Sequence, residues 1–245
     1  MKTNYLFGKK SLQDALNNNL SISHVYLQDN DPSLIGQLKI KRIPYSFEKI
    51  NFFDRVAKEK KHQGIAFILE CSNKLIALND LIDNLNAKPT AVVLILDSIQ
   101  DVGNMGAILR SADVFAIDAV IYKKDHQINP FCETIIKTST NAISYLNLCE
   151  VTNLNDTIEK LKKNNFWFYA TCFENDSAPY YEQKFPNKTA FIFGNENTGI
   201  SKLVIKNSDH KIYIPQYGHI QSLNVSVAVG IILSFYRMVK LPGKF

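Results

Sequence analysis

The C-terminal two thirds of the chain alternate short apolar segments with segments of helical spacing, and this alternation constrains the fold more than any other feature. Residues 91–96, 119–122 and 166–172 are apolar and rich in β-branched or aromatic side chains, whereas residues 103–115 and 224–239 have helical spacing. Strand–helix alternation is typical of a mostly parallel, doubly wound sheet. The sequence therefore predicts an α/β fold for residues 91–245.

The first 78 residues predict a second, smaller α/β domain. Segments with helical character lie at 11–17, 32–40 and 51–61, and strands are predicted at 24–27 and 64–70. The polar stretch that follows, 79–90, is rich in Asn and Asp and contains a proline. We therefore expect an N-terminal domain over 1–78, a linker over 79–90 and a C-terminal domain over 91–245. Leu81, Ile82 and Leu85 could give the linker a helical turn.

Positive charge is concentrated in one part of the N-terminal domain. The chain has a net charge of +5, and residues 39–61 contain eight basic residues and three acidic ones. The basic residues are Lys39, Lys41, Arg42, Lys49, Arg55, Lys58, Lys60 and Lys61. Such a segment is typical of a phosphate-binding surface, but also of a solvated helix face, so charge alone leaves both interpretations open.

Composition and the cysteine pattern narrow the class of protein. Hydrophobic residues make up 46% of the chain, which favours a folded core. No apolar run has the length of a membrane span, and the N-terminus lacks the apolar region of a signal peptide. The spacings of Cys71, Cys132, Cys149 and Cys172 suit neither a zinc site nor a disulfide framework. We expect buried thiols in a cytoplasmic protein with no metal and no membrane partner.

Two loops near the C-terminus follow predicted strands and combine Gly, Asn and Ser with a single carboxylate. The first is Gly194-Asn-Glu-Asn-Thr-Gly199, and the second extends from Ile214 to Asn224. Loops at the carboxyl ends of strands are where α/β sheets bind ligands, so these two could converge on one small molecule. The first loop lacks the Lys and Ser/Thr that follow the second Gly of a P-loop, and its Glu196 would repel phosphates. Nor does the dinucleotide fingerprint of glycines follow strand 91–96.

A third strand–loop–helix segment spans residues 94–113 and contains Asn104 and Arg110. Arginine is scarce in this chain, which has only four. A purely structural interpretation makes Asn104 a helix cap and pairs Arg110 with Asp113. Capping would likewise explain Ser222 or Asn224 at the start of the last helix. The apolar stripe of that helix is either core or a subunit interface; it consists of Val225, Val229, Ile232 and Phe235.

Together, the three segments resemble the three motifs of the SpoU branch of SPOUT methyltransferases, which methylate ribose 2′-hydroxyls of RNA. The matching runs are Asn104-Met-Gly-Ala-Ile-Leu-Arg110, Gly194-x-Glu196-x-x-Gly199 and Ile214-Pro-x-x-Gly218-x-x-x-Ser222-Leu223-Asn224-Val225. Residues 5–16 and 62–65 resemble the substrate-binding domain of the group that modifies a guanosine in large-subunit ribosomal RNA. The resemblance thus covers nearly the whole chain, and one departure is Gln216, where that branch often has Met.

The resemblance implies a deep trefoil knot that binds S-adenosylmethionine chiefly through backbone groups. It places the cofactor against Gly194, Gly199, Ile214 and Leu223. It also implies a homodimer through the C-terminal domain, with the final helix in the interface.

The resemblance also implies a set of catalytic residues: Asn104, Arg110, Glu196, Ser222 and Asn224. Because a guanidinium keeps its proton in proteins, we interpret Arg110 as a cation that contacts a phosphate and steadies a developing alkoxide. Asn104 and Asn224 would orient Arg110 or the ribose. Glu196 would hold Arg110 or accept a hydrogen bond, and Ser222 would position the substrate.

The expected function is therefore 2′-O-methylation of a ribose, that of a guanosine, in large-subunit ribosomal RNA. One alternative within the same enzyme class is a tRNA substrate. A second is a non-catalytic RNA-binding or ribosome-assembly protein that retains a degenerate cofactor knot. The joint presence of the five polar residues argues against that second alternative.

Overall fold

The computed structural model describes residues 5–17, 20–57, 61–69, 75–125, 128, 130–131, 133–140, 142–219 and 222–240. Four residues named above, Lys58, Lys60, Cys71 and Cys132, lie outside these ranges. The chain divides into two compact units, residues 1–74 and residues 75–245.

The first unit is a small α/β domain built on a four-stranded sheet. Its elements are β1 (Leu6–Phe7), α1 (Lys9–Asn17), β2 (Ile22–Leu27), α2 (Pro32–Ile40), β3 (Tyr45–Phe47), α3 (Ile50–Ala57) and β4 (Ile65–Leu69). The strand order is β1-β4-β2-β3, with β4 antiparallel to both of its neighbours and β3 parallel to β2. Asp31 caps α2 by accepting a hydrogen bond from Leu34 N, and Pro32 occupies the first turn.

The second unit is built on a seven-stranded sheet in which every strand pair is parallel. Its elements are α4 (Leu78–Asn86), β5 (Ala91–Asp97), α5 (Val102–Val114), β6 (Ala119–Lys123), α6 (Glu133–Thr138), β7 (Leu148–Val151), α7 (Leu154–Lys162), β8 (Trp167–Thr171), β9 (Ala178–Pro179), β10 (Lys188–Gly194), α8 (Lys202–Lys206), β11 (His210–Tyr213) and α9 (Val225–Lys240). Short 3₁₀ turns lie at Ala142–Ser144 and Tyr180–Glu182. The predicted α/β fold class is confirmed.

The strand order β7-β6-β5-β10-β8-β11-β9 places a switch point between β5 and β10. From β5 the chain moves outward through β6 and β7, and it then returns to the other side, where β10 inserts between β5 and β8. Asp97 and Gly194 are paired at the carboxyl ends of these two strands. Ligands of open α/β sheets bind at such a crevice, so the loops after β5 and β10 are placed for binding. The trefoil knot stays a prediction.

Helices cover both faces of this sheet. Side chains of α4, α7 and α8 share one buried cluster with Val93 and Ile95 of β5. On the opposite face, Tyr236 of α9 packs on Phe191 of β10, and α9 lies against α5. All seven residues of β5 are buried, as expected for a central parallel strand with both faces covered.

The segment 79–90, which the sequence suggested was a linker, is largely helical and belongs to the second unit. Leu81, Ile82 and Leu85 of α4 are buried against the sheet. The polar residues of α4 face solvent on its other side, and their abundance gave the segment its linker-like composition. The division between the units therefore precedes α4.

The apolar stripe of α9 belongs to the core of its own unit. Val225, Val229 and Ile232 are buried, and Phe235 packs edge-on against Tyr180. Of the two interpretations that the sequence left open for this stripe, the structure favours core.

No helix in the described part of the chain is long and apolar enough to cross a membrane.

The two described cysteines differ in burial. Cys149 is buried in β7, and burial raises the pKa of its thiol to about 11. Cys172 is half-buried, and partial desolvation raises the pKa of its thiol as well. The expectation of a buried thiol therefore holds for Cys149 and only partly for Cys172.

Candidate active site

Helix α5 begins at Val102 and is capped by Asp101. The Asp101 carboxylate accepts a hydrogen bond of 2.7 Å from the backbone N of Asn104. Asn104 therefore lies inside the first turn and does not cap the helix, contrary to the purely structural interpretation. Its side-chain amide is left available for contacts outside the helix.

The Asn104 side chain joins the three loops that the sequence singled out. Its Nδ2 donates to Oε1 of Glu196, in the loop after β10. Its Oδ1 accepts a hydrogen bond of 2.8 Å from Nδ2 of Asn224, which immediately precedes α9. One residue from each predicted motif thus takes part in a single hydrogen-bonded chain.

Two of the predicted catalytic residues stay outside this chain. The Arg110 side chain is exposed on α5 and forms no hydrogen bond or ion pair with any described residue, so the suggested pair with Asp113 is not formed. Six residues along a helix rotate the side-chain direction by about 600°, so Arg110 lies about 120° around the helix from the face of Asn104. Ser222 is also exposed and has no hydrogen bond to a described residue. No described residue therefore competes with a substrate for either side chain.

The loop after β10 is held in a tight, backbone-defined shape. Asn195 and Gly199 exchange two backbone hydrogen bonds, of 3.2 and 2.8 Å. Gly199 has a φ of +67°, a conformation that favours glycine. A Cβ on Gly194 would lie 2.2 Å from the carbonyl carbon of Gly199, so the chain approaches itself too closely for any side chain there.

Two polar residues that the sequence analysis missed tie this loop to the end of β5. The buried carboxylate of Asp97 accepts a hydrogen bond of 2.9 Å from Ser201 N. The buried Asn195 donates through Nδ2 to the carbonyl of Ser98, at 2.9 Å. A carboxylate ending an otherwise apolar strand was the available signal for Asp97. For Asn195, the sequence offered no signal beyond its position between Gly194 and Glu196.

An aromatic cleft of about 780 Å³ lies beside the loop after β11. Ile214 lines it together with exposed rings, among them Phe173 (84% exposed) and Tyr217 (92% exposed). A neighbouring cleft of about 580 Å³ is lined by Ser222 and Leu223 and shares the segment 215–219 with the first. The structure therefore places Ile214 and Leu223 at adjoining cavities, whereas Gly194 and Gly199 shape the loop after β10.

A tyrosine at the aromatic cleft stays protonated at neutral pH. The pKa of Tyr181 lies above its usual value, because of desolvation and then the negative charge that Tyr217 and Glu182 carry when ionised. Its hydroxyl is thus available to donate a hydrogen bond into the cleft.

We expect Asn104→Asp to reduce the activity of this site about 100-fold, because the substitution removes the donor to Glu196 and sets two carboxylates against each other. Steady-state rates measure the effect. Asn155→Asp is the matched control, since Asn155 Oδ1 accepts from Asn207 Nδ2 at 2.8 Å and an aspartate keeps that acceptor. Equal rates for the two variants would contradict a role for the link between Asn104 and Glu196.

Comparison with known proteins identifies the family of this chain. A family model described as the SpoU rRNA Methylase family matches residues 91–234, and one described as RNA 2′-O ribose methyltransferase substrate binding matches residues 5–74. This chain belongs to the SpoU rRNA methylase family. The resemblance and the enzyme class that the sequence predicted are confirmed.

Individual relatives cover nearly the whole chain. An uncharacterized tRNA/rRNA methyltransferase of Mycoplasma pneumoniae is 37% identical over 95% of this chain and 96% of its own length. The 23S rRNA (guanosine-2′-O-)-methyltransferase RlmB of Neisseria meningitidis is 31% identical over 89% of this chain and 87% of its own. The structure of the SpoU methyltransferase AviRb from Streptomyces viridochromogenes, in complex with AdoMet, matches with a TM-score of 0.72. It is 17% identical and covers 99% of this chain and 92% of that one, which shows the shared fold.

Proposed function

We propose that this SpoU-family enzyme methylates the 2′-hydroxyl of a guanosine ribose in large-subunit ribosomal RNA. The observation that carries the proposal is the hydrogen-bonded link from Glu196 through Asn104 to Asn224. It assembles one polar residue from each motif, at the edge of the sheet where ligands bind. A protein that only binds RNA has no need for such an arrangement, so the link favours catalysis.

The residues at this edge fit S-adenosylmethionine as the cofactor. The close approach of Gly194 to Gly199 leaves no room for a side chain at Gly194, so backbone groups form the surface of the loop at that point. Leu223 and Ile214 line the adjoining clefts and offer apolar contact. When bound, S-adenosylmethionine supplies a methyl group that is already activated, so the protein's task is to position and polarise the ribose.

Arg110 is the residue that we assign to the ribose and its phosphate. Its guanidinium is exposed and unpaired among the described residues, and it offers five N–H donors in a rigid fork. It contacts a substrate phosphate and stabilises negative charge as it develops on the 2′-oxygen. Ser222 is exposed beside the cleft at Leu223 and positions the ribose.

The first unit supplies the RNA-binding surface in this proposal. Six of its basic residues in the described part of the segment 39–61 are exposed: Lys39, Lys41, Arg42, Lys49, Arg55 and Lys61. The guanidinium of Arg55 lies 5.9 Å from the ring centre of Phe52, which in turn packs on Tyr26. Cations beside half-buried rings suit both phosphates and unpaired bases.

Replacing Lys39, Lys49 and Lys61 with glutamine should weaken RNA binding and flatten its salt dependence, because fewer counterions are released. The slope of log K against log salt should fall by about 0.7 to 0.9 for each phosphate that the variant no longer neutralises. Filter binding over a salt series measures it. The control is the same substitution at three exposed lysines of the second unit: Lys160 on α7, Lys163 just after α7, and Lys206 on α8. An unchanged slope in the first variant would mean that this segment is a solvated face.

Mapping of 2′-O-methyl ribose by mass spectrometry in RNA from cells that lack the protein tests the substrate. We expect one guanosine of large-subunit ribosomal RNA to lose its methyl group, as the name of the Neisseria meningitidis relative suggests. Loss from a tRNA instead would establish the alternative that the name of the Mycoplasma pneumoniae relative leaves open. No loss anywhere would contradict the proposed reaction. A ribosomal RNA substrate also accords with a cytoplasmic location.

We also propose that the enzyme is a homodimer through its C-terminal domain. With the stripe of α9 buried in its own unit, apolar residues on other sides of the helix are available for a second copy. They are Val227, Met238 and Val239, which are 49%, 59% and 45% exposed. Sedimentation equilibrium tests the proposal, and a monomer at micromolar concentration would contradict it.

A further inference from the structure

The orientation of the Asn224 amide is set by the residue two positions further on. The Ser226 backbone N lies 2.9 Å from one end of this amide, and the Ser226 hydroxyl lies 2.6 Å from the same atom. A backbone N–H can only donate, so this atom must be the oxygen Oδ1. The Ser226 hydroxyl must then donate as well, and the Asn224 amide is held from two directions.

The orientation of the Asn224 amide determines the direction of the two hydrogen bonds that connect it, through Asn104, to Glu196. With its oxygen turned to Ser226, Asn224 presents Nδ2, a donor, to Asn104. Asn104 must therefore accept this hydrogen bond with its Oδ1, and its own Nδ2 remains to donate to the Glu196 carboxylate. The donors therefore all point one way, from the start of α9 to the Glu196 carboxylate.

We infer that Ser226 is a positioning residue for methyl transfer, acting through Asn224 and Asn104 on Glu196. The inference rests on the proposed function. Capping of α9 alone requires the Ser226 N–H, which bonds Asn224 Oδ1 without help from the hydroxyl. The hydroxyl adds a second donor to the same oxygen. It therefore strengthens the orientation that the N–H sets and holds the amide more rigidly in the position that delivers a donor to Asn104 and, through it, to Glu196.

Ser226→Ala should lower kcat about five- to tenfold, the effect of one lost hydrogen bond on a positioned group. The affinity for S-adenosylmethionine should stay within twofold, because the proposed cofactor contacts lie on other residues. Ser226→Thr retains the hydroxyl and should restore the rate. Ser234→Ala, the same substitution at an exposed position of the same helix, should leave the rate unchanged.

A double-mutant cycle separates positioning from a general structural effect. In an Asn104→Ala background the hydrogen-bonded link from Asn224 to Glu196 is already broken, so adding Ser226→Ala should not lower kcat further. An equal loss in both backgrounds, a threonine variant as slow as the alanine variant, or an unchanged rate for Ser226→Ala would each overturn the inference.

The same double-mutant cycle can be measured by the urea unfolding midpoint, which requires no enzymatic activity. It therefore tests the hydrogen-bonded role of Ser226 separately from the proposed function. Coupling between Ser226→Ala and Asn104→Ala in stability would support the hydrogen-bonded chain even if no RNA were methylated. In that case the proposed function alone would fail. Additive stability changes in an active enzyme would instead overturn the role of Ser226 and leave the proposed function standing.

Discussion

Arg110→Ala is expected to abolish detectable methyl transfer, a loss of about 1000-fold, while S-adenosylmethionine still binds. The reason is that the Arg110 side chain is exposed and has no partner among the described residues, and its guanidinium is the group that we propose contacts the substrate phosphate. Single-turnover rates measure the loss, and calorimetry measures cofactor binding. The unfolding midpoint should not change, for the same reason.

Arg110→Lys should also be poor, because a point charge cannot reproduce the planar fork of a guanidinium. Near-full activity of this variant would contradict the bidentate role that we assign.

Arg237 provides the contrasting case, since its Nε donates to the carbonyl of Phe115 at 2.5 Å and its Nη2 donates to that of Ala116. Arg237→Ala should therefore lower stability by about 1 to 3 kcal/mol.

Sequence predicted those elements whose local signals agree with their packing. Helix Pro32–Ile40 was predicted with the bounds that the structure has, because a proline opens it. The apolar run from Ala91 identified the central strand, because a strand that is buried on both faces is apolar along its length. Helix α4 was interpreted as a linker with at most a helical turn, since its Asn and Asp residues outweighed three buried apolar positions. Strands β1, β3 and β9 have only two or three residues, and such short segments carry too little local signal.

In the site, sequence could supply residue types and order but not contacts. Asn104 and Glu196 are 92 residues apart, and Asn104 and Asn224 are 120 apart. Which atoms meet over such separations depends on strand order, and here on the insertion of β10 beside β5. The roles assigned to these residues from the resemblance stay predictions. What the structure adds is that Asn104 is hydrogen-bonded to both Glu196 and Asn224, and that Arg110 has no side-chain partner among the described residues.

Gly194→Ala is expected to reduce S-adenosylmethionine affinity at least about 100-fold, which calorimetry measures. The added methyl would lie 2.2 Å from the carbonyl carbon of Gly199, 2.3 Å from its oxygen and 2.3 Å from Ile200 N. These are backbone atoms of a loop closed by two hydrogen bonds and tied to Asp97, so they cannot move aside without opening the loop. Opening it would displace the backbone surface that we propose for the cofactor.

Gly230→Ala is the matched control for this substitution. Gly230 lies within α9, and a Cβ there meets no atom within 4 Å. Alanine should therefore stabilise the helix by about 0.5 to 1 kcal/mol and leave cofactor affinity unchanged. If Gly194→Ala instead binds S-adenosylmethionine as tightly as Gly230→Ala does, the loop after β10 does not form the cofactor surface. Binding would then depend on the loop after β11 alone, because Ile214 and Leu223 would be the remaining contacts.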